Sequence, residues 1–74
     1  MSKVKIKTRK KEIIKGDTIL DLRSMERMDI VDGGVNMEWV YTEQFIETDY
    51  PHEFCDNVIA FMESDKESID ISEL

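Results

Sequence analysis

Through the first half of the chain apolar and polar residues alternate with a period of two, and near residue 50 the period becomes helical. Val4, Ile6 and Thr8 alternate with Lys3, Lys5, Lys7 and Arg9, which puts the two sets on opposite faces of a predicted strand. A strand face made only of cations suits a protected sheet edge, because lysines discourage pairing with another edge. Ile13 and Ile14 continue the apolar content, Lys15-Gly16-Asp17-Thr18 carries a turn signal, and Ile19, Leu20 and Leu22 predict a second short strand.

Met25 to Thr42 predicts a hairpin. Gly33-Gly34 can supply the positive φ angles of a two-residue turn. Pairing outward from it sets Asp32 against Val35, Ile30 against Met37, Met28 against Trp39 and Glu26 against Tyr41. One face then collects Met28, Ile30, Val35, Met37, Trp39 and Tyr41, and the other carries Arg27, Asp29, Val31, Asn36, Glu38 and Val40. A slip of one residue would mix the two sets, so the pattern favours this register. From Asp49, a candidate N-cap with Pro51 in the first turn, the spacing of Phe54, Val58, Phe61 and Met62 predicts a helix ending near Ser64. Cys55 and Ile59 lie beside that stripe. After it, Ser64-Asp65-Lys66-Glu67 fits a capping box opening a short helix, whereas Ile69 and Ile71 around Asp70 fit a terminal strand, and a frayed tail is a third option. The expected class is α+β: a small antiparallel sheet including a Gly-Gly hairpin, with one C-terminal helix packed on it.

The 74 residues make one domain, 1–74, with about 1–2 and 65–74 as the ends open to fraying. A chain this short buries only about 60% of its unfolded surface, so its stability is small and oligomerisation is a natural supplement. Cys55 is the single cysteine, which rules out an intramolecular disulfide and fits a reducing compartment. The sequence has no apolar run of the ~20 residues a membrane span requires, and no signal-peptide core follows the basic start. A cytoplasmic location is the expectation.

No catalytic constellation emerges. His52 and Cys55 stand three apart near the predicted helix start, where a thiol can be activated, but a lone cysteine beside an apolar stripe is more often a small core residue. The same two residues lack the further ligands of a zinc site. Asp29, Asp32 and Glu38 around the glycines miss the calcium-loop spacing, and Gly33-Gly34 lacks the further glycine and lysine of a phosphate loop. Paired carboxylates mean little among seventeen acids. The expectation is a protein that is not an enzyme and uses no cofactor. The methionines Met25, Met28, Met37 and Met62 read mainly as core, with Trp39 or Tyr41 available for a dimer interface.

Charge divides the chain. Residues 1–15 carry seven cations against Glu12, a net +6, and the other fifty-nine carry three cations against sixteen carboxylates, a net −13. Lys3, Lys5, Lys7, Arg9, Lys10 and Lys11 could neutralise phosphates of a nucleic acid. The acidic body would repel the same polyanion, and no aromatic residue is interleaved for base stacking. The alternative makes the acidic body the working surface. Outward positions on a strand lie about 6.6 Å apart, comparable with phosphate spacings on one DNA strand. In the register above Asp29 and Glu38 face each other, a like-charge pairing that a cationic partner would relieve. Glu43, Glu47, Asp49, Glu53 and Asp56 extend the acidic surface towards the helix, and Asp65, Glu67, Asp70 and Glu73 could extend it along the tail.

A tiny acidic chain without a catalytic constellation resembles the small host-takeover proteins of virulent bacteriophages. In particular, its acidic composition over residues 17–74, with Asp29, Asp32 and Glu38 in the hairpin, resembles that of phage DNA mimics that inhibit the bacterial nucleoid protein HU. The basic stretch from Lys3 to Lys15 departs from a uniformly acidic mimic. The resemblance implies a homodimer that presents carboxylates to the DNA-binding surface of a basic, HU-like host protein and blocks its DNA binding by occlusion, in the host cytoplasm. The partner-binding set would be Asp29, Asp32, Glu38, Glu43, Glu47, Asp49, Glu53 and Asp56, with no direct nucleic-acid or membrane contact. A regulator docking on RNA polymerase or a sigma factor is the alternative reading, and a nucleic-acid binder using the basic N-terminal segment is the next.

Overall fold

The computed structural model describes residues 10–74. The alternating strand expected over residues 3–9 lies outside the described residues. The fold is α+β, with its strands divided between two three-stranded sheets. Strands β1 (Glu12–Lys15) and β2 (Thr18–Asp21) form a hairpin closed at Gly16-Asp17, where Gly16 takes φ +60°. A 3-10 turn over Leu22–Ser24 leads into β3 (Met25–Val31), β4 (Gly34–Trp39) and β5 (Glu43–Glu47), an antiparallel meander in the order β3-β4-β5. Helix α1 (Pro51–Glu63) follows, then β6 (Ser68–Asp70) and a last 3-10 turn, Ile71–Glu73. β6 returns to lie parallel to β1, giving the first sheet the order β2-β1-β6. Of the three options for the tail, this is the terminal strand.

One core ties the two sheets to the helix. Ile13, Leu20 and Leu22 come from the first sheet and its turn, Val35, Met37 and Trp39 from β4, and Phe54, Val58 and Phe61 from α1. Burial of each such side chain removes apolar area from water and stabilises by roughly 1.5–3 kcal/mol. The indole of Trp39 is buried too, and its Nε1–H donates to the Asp21 carbonyl at 2.7 Å, tying the end of β4 to the first sheet. That removes Trp39 from the candidates for a dimer interface, while Tyr41 is 93% exposed.

The hairpin differs from the expected pairing by two residues. Its turn is Asp32-Gly33, with Gly33 at φ +88°, and the pairs are Val31 with Gly34, Ile30 with Val35 and Met28 with Met37. Gly34 belongs to the strand because a third chain segment needs its bare Cα: a Cβ there would stand 2.0 Å from the Ile46 carbonyl oxygen of β5. A slip of two keeps every residue on its expected face, so Met28, Ile30, Val35, Met37 and Trp39 still share one. A bulge between Met25 and Arg27 absorbs the shift at the far end, where Met25 pairs with Trp39.

The helix begins one residue later than expected. Tyr50, not Asp49, is the N-cap, without a side-chain cap bond, and Pro51 opens the first turn, where its missing N–H is harmless. Thr48 Oγ1 accepts from the Tyr50 N–H at 3.1 Å, which fixes the chain entering the helix. The buried stripe is narrow. Phe54, Val58 and Phe61 are covered, Cys55 is half-buried, and Met62, expected on the stripe, is exposed.

The other end of the helix is held by Lys11. This side chain is buried, and its ammonium donates to the carbonyls of Phe61 (2.9 Å), Ser64 and Lys66 (2.6 Å) while lying 4.9 Å from the centre of the Phe61 ring. Carbonyls of a last helical turn lack intrahelical donors, and positive charge is favourable beside them. Lys11, one of the six cations counted in the basic-arm reading, therefore joins the start of β1 to the helix end with its side chain buried.

Candidate functional site

On β5 the odd positions Glu43, Phe45 and Glu47 are exposed, and Gln44 and Ile46 are half-buried. Their register across the sheet places Glu43 beside Glu38, Phe45 beside Asn36 and Glu47 beside Gly34. β3 completes the same rows with Arg27, Asp29 and Val31. The helix covers the opposite face, where Val35 and Met37 meet Phe54 and Val58. The outer face thus gathers Asp29, Glu38, Glu43 and Glu47 from the expected partner-binding set, with Phe45 among them.

The expected opposition of Asp29 and Glu38 does not occur. The two-residue slip pairs Asp29 with Asn36 and Glu38 with Arg27. The Arg27 guanidinium then bridges both acids, at 2.7 Å to Asp29 and 3.6 Å to Glu38. A like-charge pair exists on the other flank of β4, where Glu38 stands directly opposite Glu43. Arg27→Ala leaves Asp29 and Glu38 without their cation, with Glu43 next to Glu38 on the adjacent strand. Because these groups are largely exposed, the expected loss of stability is about 0.5–1 kcal/mol at low salt, shrinking as salt is added. Adding Glu43→Gln to that variant should recover part of it. Urea denaturation at two ionic strengths measures both effects, and a loss independent of salt and of Glu43 would contradict this account.

Asp32 and Asp49 lie at one end of the same sheet. The Thr48 N–H donates to the Gly33 carbonyl at 3.1 Å, which brings the exit from β5 against the hairpin turn. Glu53 and Asp56 are exposed on the first half of α1, on the other side of the sheet. The eight expected residues therefore do not form one plane. Four occupy the outer face, two the end, and two the helix beyond it. Among the described residues, none of Glu43, Glu47, Asp49, Glu53 and Asp56 is within ion-pair distance of a cation.

Among the described residues the excess of carboxylates is concentrated in the middle of the chain. Residues 25–63 hold one cation, Arg27, against ten carboxylates, a net −9. The flanking segments 10–24 and 64–74 hold five cations against seven carboxylates. Most of those cations have partners of their own. Lys10 approaches Glu12 at 3.7 Å, Lys15 donates to Gln44 at 3.1 Å, and Arg23 meets Asp21 at 2.8 Å. The Arg23 guanidinium bonded to Asp21 holds that carboxyl below its ordinary range.

His52 and Cys55, the residues weighed for chemistry, stand one turn apart on α1 with no hydrogen bond between them. Burial pushes the Cys55 thiol up, away from the thiolate a nucleophile needs, with Asp56 adding to the effect. His52 is exposed at the start of the helix. Among the described residues no three of His, Cys, Asp and Glu cluster as a metal-binding group. A cleft of about 240 Å³ at the helix end is lined by Phe61, Ser64, Lys66, Ile69, Glu73 and Leu74 among others, and one of about 150 Å³ lies between Ile19, Leu20, Asp21, Trp39 and Tyr41. Neither lining pairs a nucleophile with a histidine. No helix among the described residues is long and apolar enough to cross a membrane.

Two residues escaped the sequence reading. Lys11 looked like one more cation of a basic arm, and nothing local marks it as a helix cap. Phe45 did carry a signal, because Glu43-Gln44-Phe45-Ile46-Glu47 alternates with the strand period and sets an aromatic ring on the acidic face. No protein-family model, curated protein or solved structure matches this chain.

Proposed function

We propose that this protein works by binding rather than catalysis, as an acidic DNA mimic that occupies the DNA-binding surface of a basic, HU-like protein. The observation that carries the reading is the run of ten carboxylates against one cation over residues 25–63, set partly on a sheet face and wrapped around its end. A surface of that sign attracts a cationic partner over a Debye length and repels DNA. Occlusion needs no cofactor, and the compartment would be the cytoplasm, that of the host cell if the chain is phage-encoded. A homodimer would join through Tyr41 and Val40, both exposed and both uncharged, because the acidic face repels its own copy.

A gel-shift competition tests this. Added protein should release DNA from HU complexes in proportion to its concentration, lose that ability steeply as salt rises, and never shift DNA itself. Intact HU–DNA complexes at saturating protein, or a direct shift of DNA, would defeat the proposal. A second reading, docking on RNA polymerase or a sigma factor, is favoured by the exposed Ile19, Val40 and Tyr41 beside the smaller cleft. Apolar docking of that kind should survive salt washes that strip a charge mimic.

A further inference from the structure

Among the described residues Phe45 is the one aromatic side chain on the outer face of the β3-β4-β5 sheet, and no strand or helix formed by them covers that face. One edge of its ring packs over the glycines: a Cβ on Gly34 would lie 3.0 Å from Phe45 Cζ. The ring remains 47% exposed. Glu43 and Glu47 project from the same face of the same strand, each about 6.6 Å away along it. Phosphate mimicry requires no aromatic ring among its carboxylates, and solubility would be better served by a polar side chain.

We infer that Phe45 seats an arginine of the basic partner, with the guanidinium stacked on the ring and held by the carboxylates of Glu43 and Glu47. The inference rests on the binding reading above and names the group that is recognised. Charge complementarity selects the occupant. A second copy docking through this same face would set a net −9 segment against itself, and nucleic acid would meet like charge. Among cations, guanidinium fits better than ammonium. It is planar, weakly hydrated, stacks on aromatic faces, and bonds carboxylates through two N–H groups at once. Lysine satisfies the charge but makes less of the ring.

Fluorescence polarisation with end-blocked oligo-arginine and oligo-lysine peptides of equal length tests the assignment on the full chain. The wild type should bind the arginine peptide roughly two- to fivefold more tightly than the lysine peptide, the size of one exposed cation–π contact. That gap should persist at moderate salt while both affinities fall. Phe45→Leu keeps apolar cover over Gly34 but removes the aromatic face, so it should collapse the gap and leave lysine-peptide binding within about twofold of wild type. Glu43→Gln and Glu47→Gln should weaken both peptides. Equal binding of the two peptides by wild type, or a gap that survives Phe45→Leu, would overturn the arginine assignment and leave acidic docking standing. Failure to bind either peptide, together with failure to displace HU from DNA, would overturn both.

Discussion

Gly34→Ala is expected to lower the unfolding free energy by about 3 kcal/mol or more, the largest effect of an added methyl group at any of the three glycines. The added Cβ would stand 2.0 Å from the Ile46 carbonyl oxygen, 3.0 Å from its carbon and 3.0 Å from Phe45 Cζ. A flexible side chain could turn away, but a backbone carbonyl cannot move without loosening the pairing of Gly34 with Glu47 and Val35 with Ile46. Relief therefore comes from displacing β5, and with it Glu43, Phe45 and Glu47. Gly16→Ala is the control. Nothing lies within 4 Å of a Cβ at Gly16, so only its φ of +60° is strained, at a cost of about 1–2 kcal/mol. Urea denaturation followed by circular dichroism compares the two. If Gly34→Ala is no worse than Gly16→Ala, the close approach of β5 to β4 has been misjudged.

This glycine also shows what could be read from the sequence and what could not. Gly33-Gly34 marked a hairpin between two alternating runs, and the hairpin is there. Which glycine turns and which lies in the strand depends on β5, a neighbour that local turn chemistry does not contain. The faces survived the two-residue error because strand periodicity is insensitive to even slips. The opposition of Asp29 and Glu38 did not survive, because cross-strand partners depend on the register itself. The helix was legible from Phe54, Val58 and Phe61, whose spacing makes a stripe whatever they pack against. Its cap was not, since a backbone conformation and Thr48, rather than an Asp49 side chain, set the first turn. The acidic set was legible in composition. Its division between the sheet face, the sheet end and the helix required the fold.

Lys11→Met should cost about 2–3 kcal/mol although it keeps the aliphatic stem, because carbonyls that accept from a buried ammonium lose a charged donor. The Phe61 carbonyl would keep the Ser64 N–H (3.1 Å) and Oγ–H (2.7 Å) as donors, but the Ser64 and Lys66 carbonyls would be left to water. Lys11→Arg should restore little, since a planar guanidinium cannot converge on three carbonyls as a compact ammonium does. The loss should appear both in urea denaturation and as faster amide exchange in the last turn of α1 and in β6. Unchanged stability in Lys11→Met would show that solvent satisfies those carbonyls equally well. Such a result would also reopen Lys11 as a cation for an external partner.

The parallel pairing of β1 with β6 has a kinetic side. β1 cannot acquire its second neighbour until the chain has passed through the meander and the helix, and the Lys11 contacts to the helix end span 50–55 residues of sequence. Closing loops of that length takes more chain entropy than closing the β3-β4 hairpin, whose partners are near in sequence. During synthesis the meander can therefore form while the first sheet is still missing its third strand. The acidic face would take shape on the growing chain before the two ends of the molecule are joined.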